Sequence, residues 1–333
     1  MGKFFERLCR QWGFKFALLM AGLFMMVALL TPFVANDKPL IVIYQQNAYF
    51  PIIKDYPETS FGGVFDTPAD YTDPVVVSLI SQDGMMVMPP VPYGENSLVL
   101  NPPTPHPSAP TMENWWGTDA LGRDVFVRTL YGLRLSLLFG VGLTVISSVI
   151  GLAVGSAMGY FGGWVDLLGQ RVVEIWLGLP QLFILMMFAS VFESSLQMVF
   201  VAMLLFGWLP LVALSRVHIY RLRGASFVMT AKNLGVPAHR LIYRHFLPSL
   251  LRLNLAQFPF ILAGNITVLT ALDFLGVGLP MNVASLGELL HQAVRHLDAP
   301  HLMMASVGVL GVILVVLMVI GEACRKALQV GDE

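Results

Sequence analysis

Charge is what this sequence has least of. Only 12% of its 333 residues are Asp, Glu, Lys or Arg, while 56% are hydrophobic; soluble domains carry about twice that charged share. An ordinary cytosolic globular protein is excluded, and a polytopic membrane protein is the class that fits. The net charge of −1 supplies no basic field for nucleic acid. Cysteine is nearly missing: Cys9 and Cys324 sit near opposite ends of the chain, so no disulfide is expected. Catalytic signatures are missing too. There is no HExxH or GxSxG, and the only Gly-Lys pair, Gly2-Lys3, belongs to no phosphate-binding loop, which excludes ATP hydrolysis by that route. His291, His296 and His301 are five apart, off a common helical face, which argues against a metal triad.

What is present is long apolar runs. Six stretches without Asp, Glu, Lys or Arg (16–36, 135–165, 175–192, 194–215, 253–272 and 299–321) reach or approach the ~20 residues that a spanning helix needs. An even number places both termini on one side. The first run follows Lys3, Arg7, Arg10 and Lys15 but exceeds a signal-peptide core, and Phe33 stands at −3 if cleavage followed Ala35; an uncleaved anchor is expected. Residues 216–252 hold Arg216, Arg221, Arg223, Lys232, Arg240, Arg244 and Arg252 without one acid. Basic loops stay cytoplasmic, so this loop and both termini are expected inside and residues 37–131 outside.

The exported segment contains 13 of the 21 prolines, which favours turns over long helices. Aromatic residues from Tyr44 to Tyr93 give it the apolar bulk of an ordered lobe. Short strands are expected at 40–44 and 75–80, and a proline-rich linker at 101–110. The lobe reads either as a docking surface for an extracytoplasmic partner or as an insertion packed on the outer helix ends.

Three motifs follow. Gly117-Thr118-Asp119-Ala120-Leu121-Gly122-Arg123-Asp124 leads towards Arg134 and the second run. It reads as an interfacial helix with Arg–Asp pairs at headgroup level, or as a simple cap at Thr118 or Asp119. Ser147, Gly151, Gly155 and Gly159 recur every four residues, a face on which a neighbouring helix can pack closely. Gly162 and Gly163 end that helix, and Arg171 with Glu174 is a helical pair. In the basic loop, 225–234 has helical composition, Gly235 is placed to end that helix, Pro237 to start another and Pro248 to stop it.

The GTD-x-x-GRD string resembles the signature before the membrane domain of permeases in dipeptide and oligopeptide ABC importers. Phe227 to Gly235 with Arg244-His245-Phe246-Leu247-Pro248 looks like the EAA loop of such permeases. Ala231, Gly235, His245 and Pro248 fit that pattern, whereas Met229 and Thr230 stand where it has Glu and Ala. Leu272-Asp273-Phe274-Leu275-Gly276 through Ser285-Leu286-Gly287-Glu288 is similar to the family's outer segment between its last two helices. Asn36-Asp37-Lys38-Pro39, Phe61-Gly62-Gly63 and Ala69-Asp70-Tyr71 within the longer exported loop look like the E-type permeases of microcin C importers.

The resemblance implies an all-α polytopic fold of the type I ABC importer permease, with six transmembrane helices and a small irregular or β insertion between the first two. The expected order is a cytoplasmic N-terminus (1–15), helix one (16–36), a periplasmic insertion with an interfacial segment (37–131), a core with helices two to six (132–323) and a cytoplasmic tail (324–333). Thr230, Ala231, Lys232, Gly235, Arg244, His245 and Pro248 are implied for ATPase coupling. Gly117, Thr118, Asp119, Gly122, Arg123, Asp124 and Arg134 form the family signature, and Asp273 is a candidate substrate-side carboxylate. The implied partners are a homologous B-type permease, ATP-binding cassette ATPases, a periplasmic peptide-binding protein and the lipid bilayer of a bacterial inner membrane. No cofactor is expected on this chain, ATP being used by the ATPases. The rival classes are a membrane-embedded enzyme and an ion-coupled secondary transporter.

Overall fold

The computed structural model describes residues 12–100, 102 and 104–329; Lys3, Arg7, Cys9, Arg10, Asn101, Pro103 and the end of the tail lie outside them, and of Lys232 only the backbone is described. The protein is mainly helical. Its elements are α1 (Trp12–Val34), β1 (Ile41–Tyr44), β2 (Asn47–Tyr49), α2 (Pro74–Asp83), β3 (Gly84–Val87), α3 (Val125–Phe161), α4 (Gly163–Leu177), α5 (Gln181–Val191), α6 (Leu196–Gly207), α7 (Leu209–Arg223), α8 (Ser226–Asn233), α9 (Ala238–Leu241), α10 (Leu247–Phe274), α11 (Leu286–Arg295) and α12 (Pro300–Gln329). Two compact units emerge: one of Ser136–Pro280 with the chain up to Gly22 and from Leu310, the other of Leu23–Leu135 and Met281–Val309.

Five helical segments among the described residues are long and apolar enough to span a membrane, and α4 with α5 makes a sixth if that pair, bent by 72°, is one span. The expected class is therefore borne out, with one correction. The apolar run 175–192 is not one helix, because Gly178, Leu179 and Pro180 interrupt it; Pro180 has no N–H to give and disfavours helical backbone at Leu179. The 11 residues of α5 reach only about 16 Å, half the hydrocarbon thickness. Most of α1 exposes large apolar side chains such as Phe16, Leu19 and Leu30, as a lipid-facing helix does.

In the first unit, the small-residue face of α3 packs against α6 and α7. A side chain at Gly151 would meet the Trp208 carbonyl and Leu211, at Gly155 Ser215 and Val212, at Gly159 the Arg216 carbonyl and Ile219. Ser215 Oγ donates to the Gly151 carbonyl at 3.2 Å. Asn265 of α10 donates to Thr144 Oγ1 at 2.9 Å in the same interior, a tie that sequence reading does not anticipate. α3 ends at the left-handed Gly162 and Gly163, and Arg171 pairs with Glu174 at 2.5 Å, both as expected.

The second unit contains the insertion. Its sheet has the order β2-β1-β3, all antiparallel, and β1 and β2 are joined through Gln45 and Gln46, both at positive φ, as a two-residue hairpin of right-handed twist requires. Phe61 is fully buried and meets Tyr44, Tyr49, Tyr56 and Tyr71 edge-on at 5.1 to 6.5 Å, the favoured geometry for aromatic quadrupoles. The strand expected at 75–80 is instead α2. Pro74 fills the first turn, the Asp73 carboxylate accepts from the Val75 N–H at 2.8 Å, and Val76 and Ile80, four apart, enter the aromatic core. A cap plus a helical burial period overrides the strand preference of three valines. The linker expected at 101–110 is also not free, since Ser108 is buried and bonded to Thr118 through both its N–H and its hydroxyl, at 2.9 Å each.

Gly155→Leu is expected to abolish recovery of folded protein from membranes, measured by detergent thermal melting and size-exclusion yield, whereas the outward Val149→Leu leaves both unchanged.

Candidate functional site

Gly117 to Asp124 forms a tight loop, neither an interfacial helix nor a cap at Thr118 or Asp119. Gly117 and Gly122 take φ of 71° and 85°, a region that suits glycine. A Cβ at Gly117 would strike the Ser108 carbonyl, and one at Gly122 the His106 ring. Thr118 Oγ1 lies 2.8 Å from His106 Nδ1. The cap of α3 is Asp124, whose Oδ1 accepts from the Val127 N–H at 2.9 Å while Oδ2 accepts from Asn114 Nδ2 at 2.7 Å. Burial pushes the Asp124 carboxyl above the usual carboxylate range, and these hydrogen bonds only partly oppose it.

Four charges converge beneath this loop. Asp119 accepts from the Leu121 and Arg123 N–H groups at 2.9 Å each and from Arg123 Nε at 2.7 Å. Arg123 Nη2 donates to Glu288 Oε1 at 2.8 Å, and Arg128 Nη2 to Glu288 Oε2 at 2.7 Å. Arg128 is fully buried and also donates to the Glu95 carbonyl at 2.8 Å. Gln292 holds Glu288 and, at 3.3 Å, Asp119. Ser285 caps α11, accepting from the Glu288 N–H at 3.0 Å. The Arg–Asp pairing expected for headgroup level is thus internal, and two cations and two anions cancel.

Asp119, Arg123 and Asp124 stand out in the sequence as signature residues, whereas Arg128 and Gln292 do not, and Glu288 stands out only as part of the outer segment, with no charge partner assigned. Glu288 is 165 residues from Arg123, and the available signal was its place in a Ser-x-x-Glu helix start. Arg134 is half-buried and has no part in this network. Asp273, in the other unit, is buried and folded back, its Oδ1 accepting from the Leu279 N–H at 2.9 Å; this geometry is that of a turn brace.

The basic segment builds a second site. α8 ends in a Schellman motif, with Gly235 at φ 76° and the Val236 N–H donating to the Ala231 carbonyl at 3.0 Å. Val228 is its anchor, fully buried with Ile219, Phe246 and Leu250. Phe227, Met229, Thr230 and Leu234 face outward, Leu234 at 78% exposure. Thr230 Oγ1 bonds the Ser226 carbonyl at 2.9 Å, and His245 lies against Phe227 with ring centroids 5.5 Å apart. Arg244 is exposed. Pro248 does not stop the helix. A π turn at Ile242–Phe246, with the Leu247 N–H reaching the Ile242 carbonyl, shifts the hydrogen-bond register so that Pro248 opens α10 at its first turn, where no N–H is needed. The acid-free segment is also not without a counter-ion, since Arg216 pairs with Asp166 of α4.

Residues 132–329 match the family described as binding-protein-dependent transport system inner membrane component, and the chain belongs to it. It is the permease subunit of an ATP-binding cassette importer, a non-enzymatic, multi-pass component of the inner membrane that works with separate ATPases and a substrate-binding protein. It is 42% identical over 316 residues to the inner membrane ABC transporter permease protein YejE of Escherichia coli (strain K12), covering 95% of this chain and 92% of that protein. It is 37% identical over 340 residues to the peptidoglycan transport system permease protein YejE of Agrobacterium fabrum, covering 95% of this chain and 88% of that one. The dipeptide transport system permease protein DppC of Bacillus subtilis is 31% identical over 192 residues, or 58% of this chain and 60% of that one. The family and importer class expected from the motifs are borne out.

Removing one partner of a buried ion network strands the others, at about 3–5 kcal/mol. Arg128→Ala is therefore expected to lower the melting temperature and membrane yield sharply, and Arg128→Lys to restore little, because a lysine cannot reproduce the fork. A melt of either variant matching wild type refutes this account.

Proposed function

We propose that the chain forms half of the translocation pathway for peptides, microcin C-like or other oligopeptides, beside a homologous B-type permease, with both termini in the cytoplasm and the insertion in the periplasm. A periplasmic peptide-binding protein delivers the substrate, and two ATPase subunits bind and hydrolyse ATP beneath; this chain itself holds no cofactor. ATP-driven closure of the ATPases is transmitted through α8, so that the permease pair rocks between outward and inward openings.

The observation that carries this reading is α8 itself. One apolar residue, Val228, anchors it, while Phe227 and Met229 on its flanks and Leu234 just past its end stay unburied. A short helix held by one residue, with uncovered apolar side chains on either flank, suits insertion into a groove of a partner. Thr230, Ala231, Lys232 and Gly235 lie on it or at its end, while Arg244 and His245 lie in the π turn behind it and Pro248 in the first turn of α10. The names of the relatives favour peptide-containing cargo: peptidoglycan for one, dipeptides for another.

Gly235 at φ 76° is closed to proline, whose φ is near −65°. Gly235→Pro is expected to abolish ATP-dependent peptide uptake in reconstituted vesicles while membrane insertion stays intact; normal uptake refutes the coupling role. Leu234→Glu is expected to reduce copurification of the ATPases by about tenfold, since it buries a charge at the groove. Recovery of wild type without any ATPase or second permease, in every detergent, sinks the importer reading of its partners.

A further inference from the structure

The exported insertion has a charge imbalance that the spans conceal. Residues 37–131 hold eleven Asp and Glu against four Lys and Arg, and both arginines, Arg123 and Arg128, are consumed in the buried network. More than half of the acids of the whole chain therefore lie in one lobe.

Within this lobe is a cleft of about 770 Å³, lined by Tyr71, Tyr93, Met86 and Met88 and by the carboxylates of Asp37 and Asp70. Its volume lies within the range of ordinary ligand sites, about 300–1,000 Å³. Among the described residues, the Asp37 carboxylate accepts only from Ser97 Oγ, at 3.0 Å, and that of Asp70 only from the N–H and hydroxyl of Thr72, at 2.9 and 2.7 Å. Neither carboxylate has a cation beside it among the described residues. The one lysine of the lining, Lys38, is engaged by Asp55. Gly94 lies close beside Asp37, and a Cβ there would come within 2.7 Å of its carboxylate.

We propose that this cleft receives a basic, partly apolar stretch of the peptide cargo before it enters the pathway, a site that rests on the peptide-importer reading above. Charge complementarity selects the cation: two unneutralised carboxylates in an acidic lobe attract ammonium and guanidinium groups, and low-dielectric walls focus that field. Two tyrosines and two methionines supply a surface for aliphatic side chains and for arginine stacking. Concavity selects a peptide over a folded partner, because a protein interface spreads over about 800 Å² per side instead of filling one cleft.

The test uses the full chain in lipid nanodiscs and fluorescence anisotropy of two dye-labelled hexapeptides. One carries two arginines and two leucines; in the other glutamates replace the arginines. The basic probe is expected to bind at least about tenfold tighter, to weaken when salt rises from about 0.05 to about 0.5 M, and to lose about tenfold in Asp37→Asn/Asp70→Asn but not in the exposed Asp83→Asn. Equal binding of both probes, or an unchanged double variant, overturns the proposal. Binding that appears only after the extracytoplasmic binding protein is added also overturns it, in favour of a docking face for that protein. If the double variant fails to fold, the probe-charge and salt comparisons on wild type decide. Wild-type ATP-dependent uptake by the assembled complex separates the two readings: uptake without cleft binding refutes the cleft alone, and loss of uptake refutes the importer reading beneath it.

Discussion

The four-charge network of Asp119, Arg123, Arg128 and Glu288 is the constraint on which the second unit depends. It joins the loop before α3, the first turn of α3 and the start of α11 through hydrogen bonds of 2.7 to 2.8 Å. Such networks are not automatically stabilising, since desolvating four charges offsets most of their attraction. Their effect is to fix register. Both guanidinium groups donate to Glu288, and that of Arg123 also to Asp119, so sliding α11 by one residue would leave charges buried without partners.

The same economy appears elsewhere in the chain. Arg216 is matched to Asp166, and Asp273 to a backbone N–H. Such ties offset the cost of keeping polar groups out of water, although Ser147, Ser148 and Ser156 Oγ and Asn254 Oδ1 are buried without a hydrogen-bond partner among the described residues. The α8 segment follows the opposite rule: its outward apolar side chains are left uncovered, as a surface built for another protein should be.

Glycine works in two distinct ways here. On α3 it removes bulk, so that Trp208 to Ile219 can approach to backbone contact. At Gly117, Gly122 and Gly235 it supplies positive φ, bending the chain where no side-chain-bearing residue sits without strain. The first use is visible as a four-residue repeat, the second only as isolated glycines beside motif residues.

The sequence by itself determined the class, the number of apolar runs, the packing face of α3 and the elbow at Gly235, because each depends on local spacing or composition. It misplaced what depends on competition between local and distant terms. The valines of 74–83 preferred a strand until Asp73 and the Phe61 core selected a helix, and Pro248 looked like a stop until a π turn absorbed it. Only the tertiary structure decided that Glu288 and Gln292 complete the signature of Asp119 and Arg123. Electrostatic pairing across 165 residues leaves no periodicity along the chain, and it becomes legible only when folding brings the charges within hydrogen-bond reach.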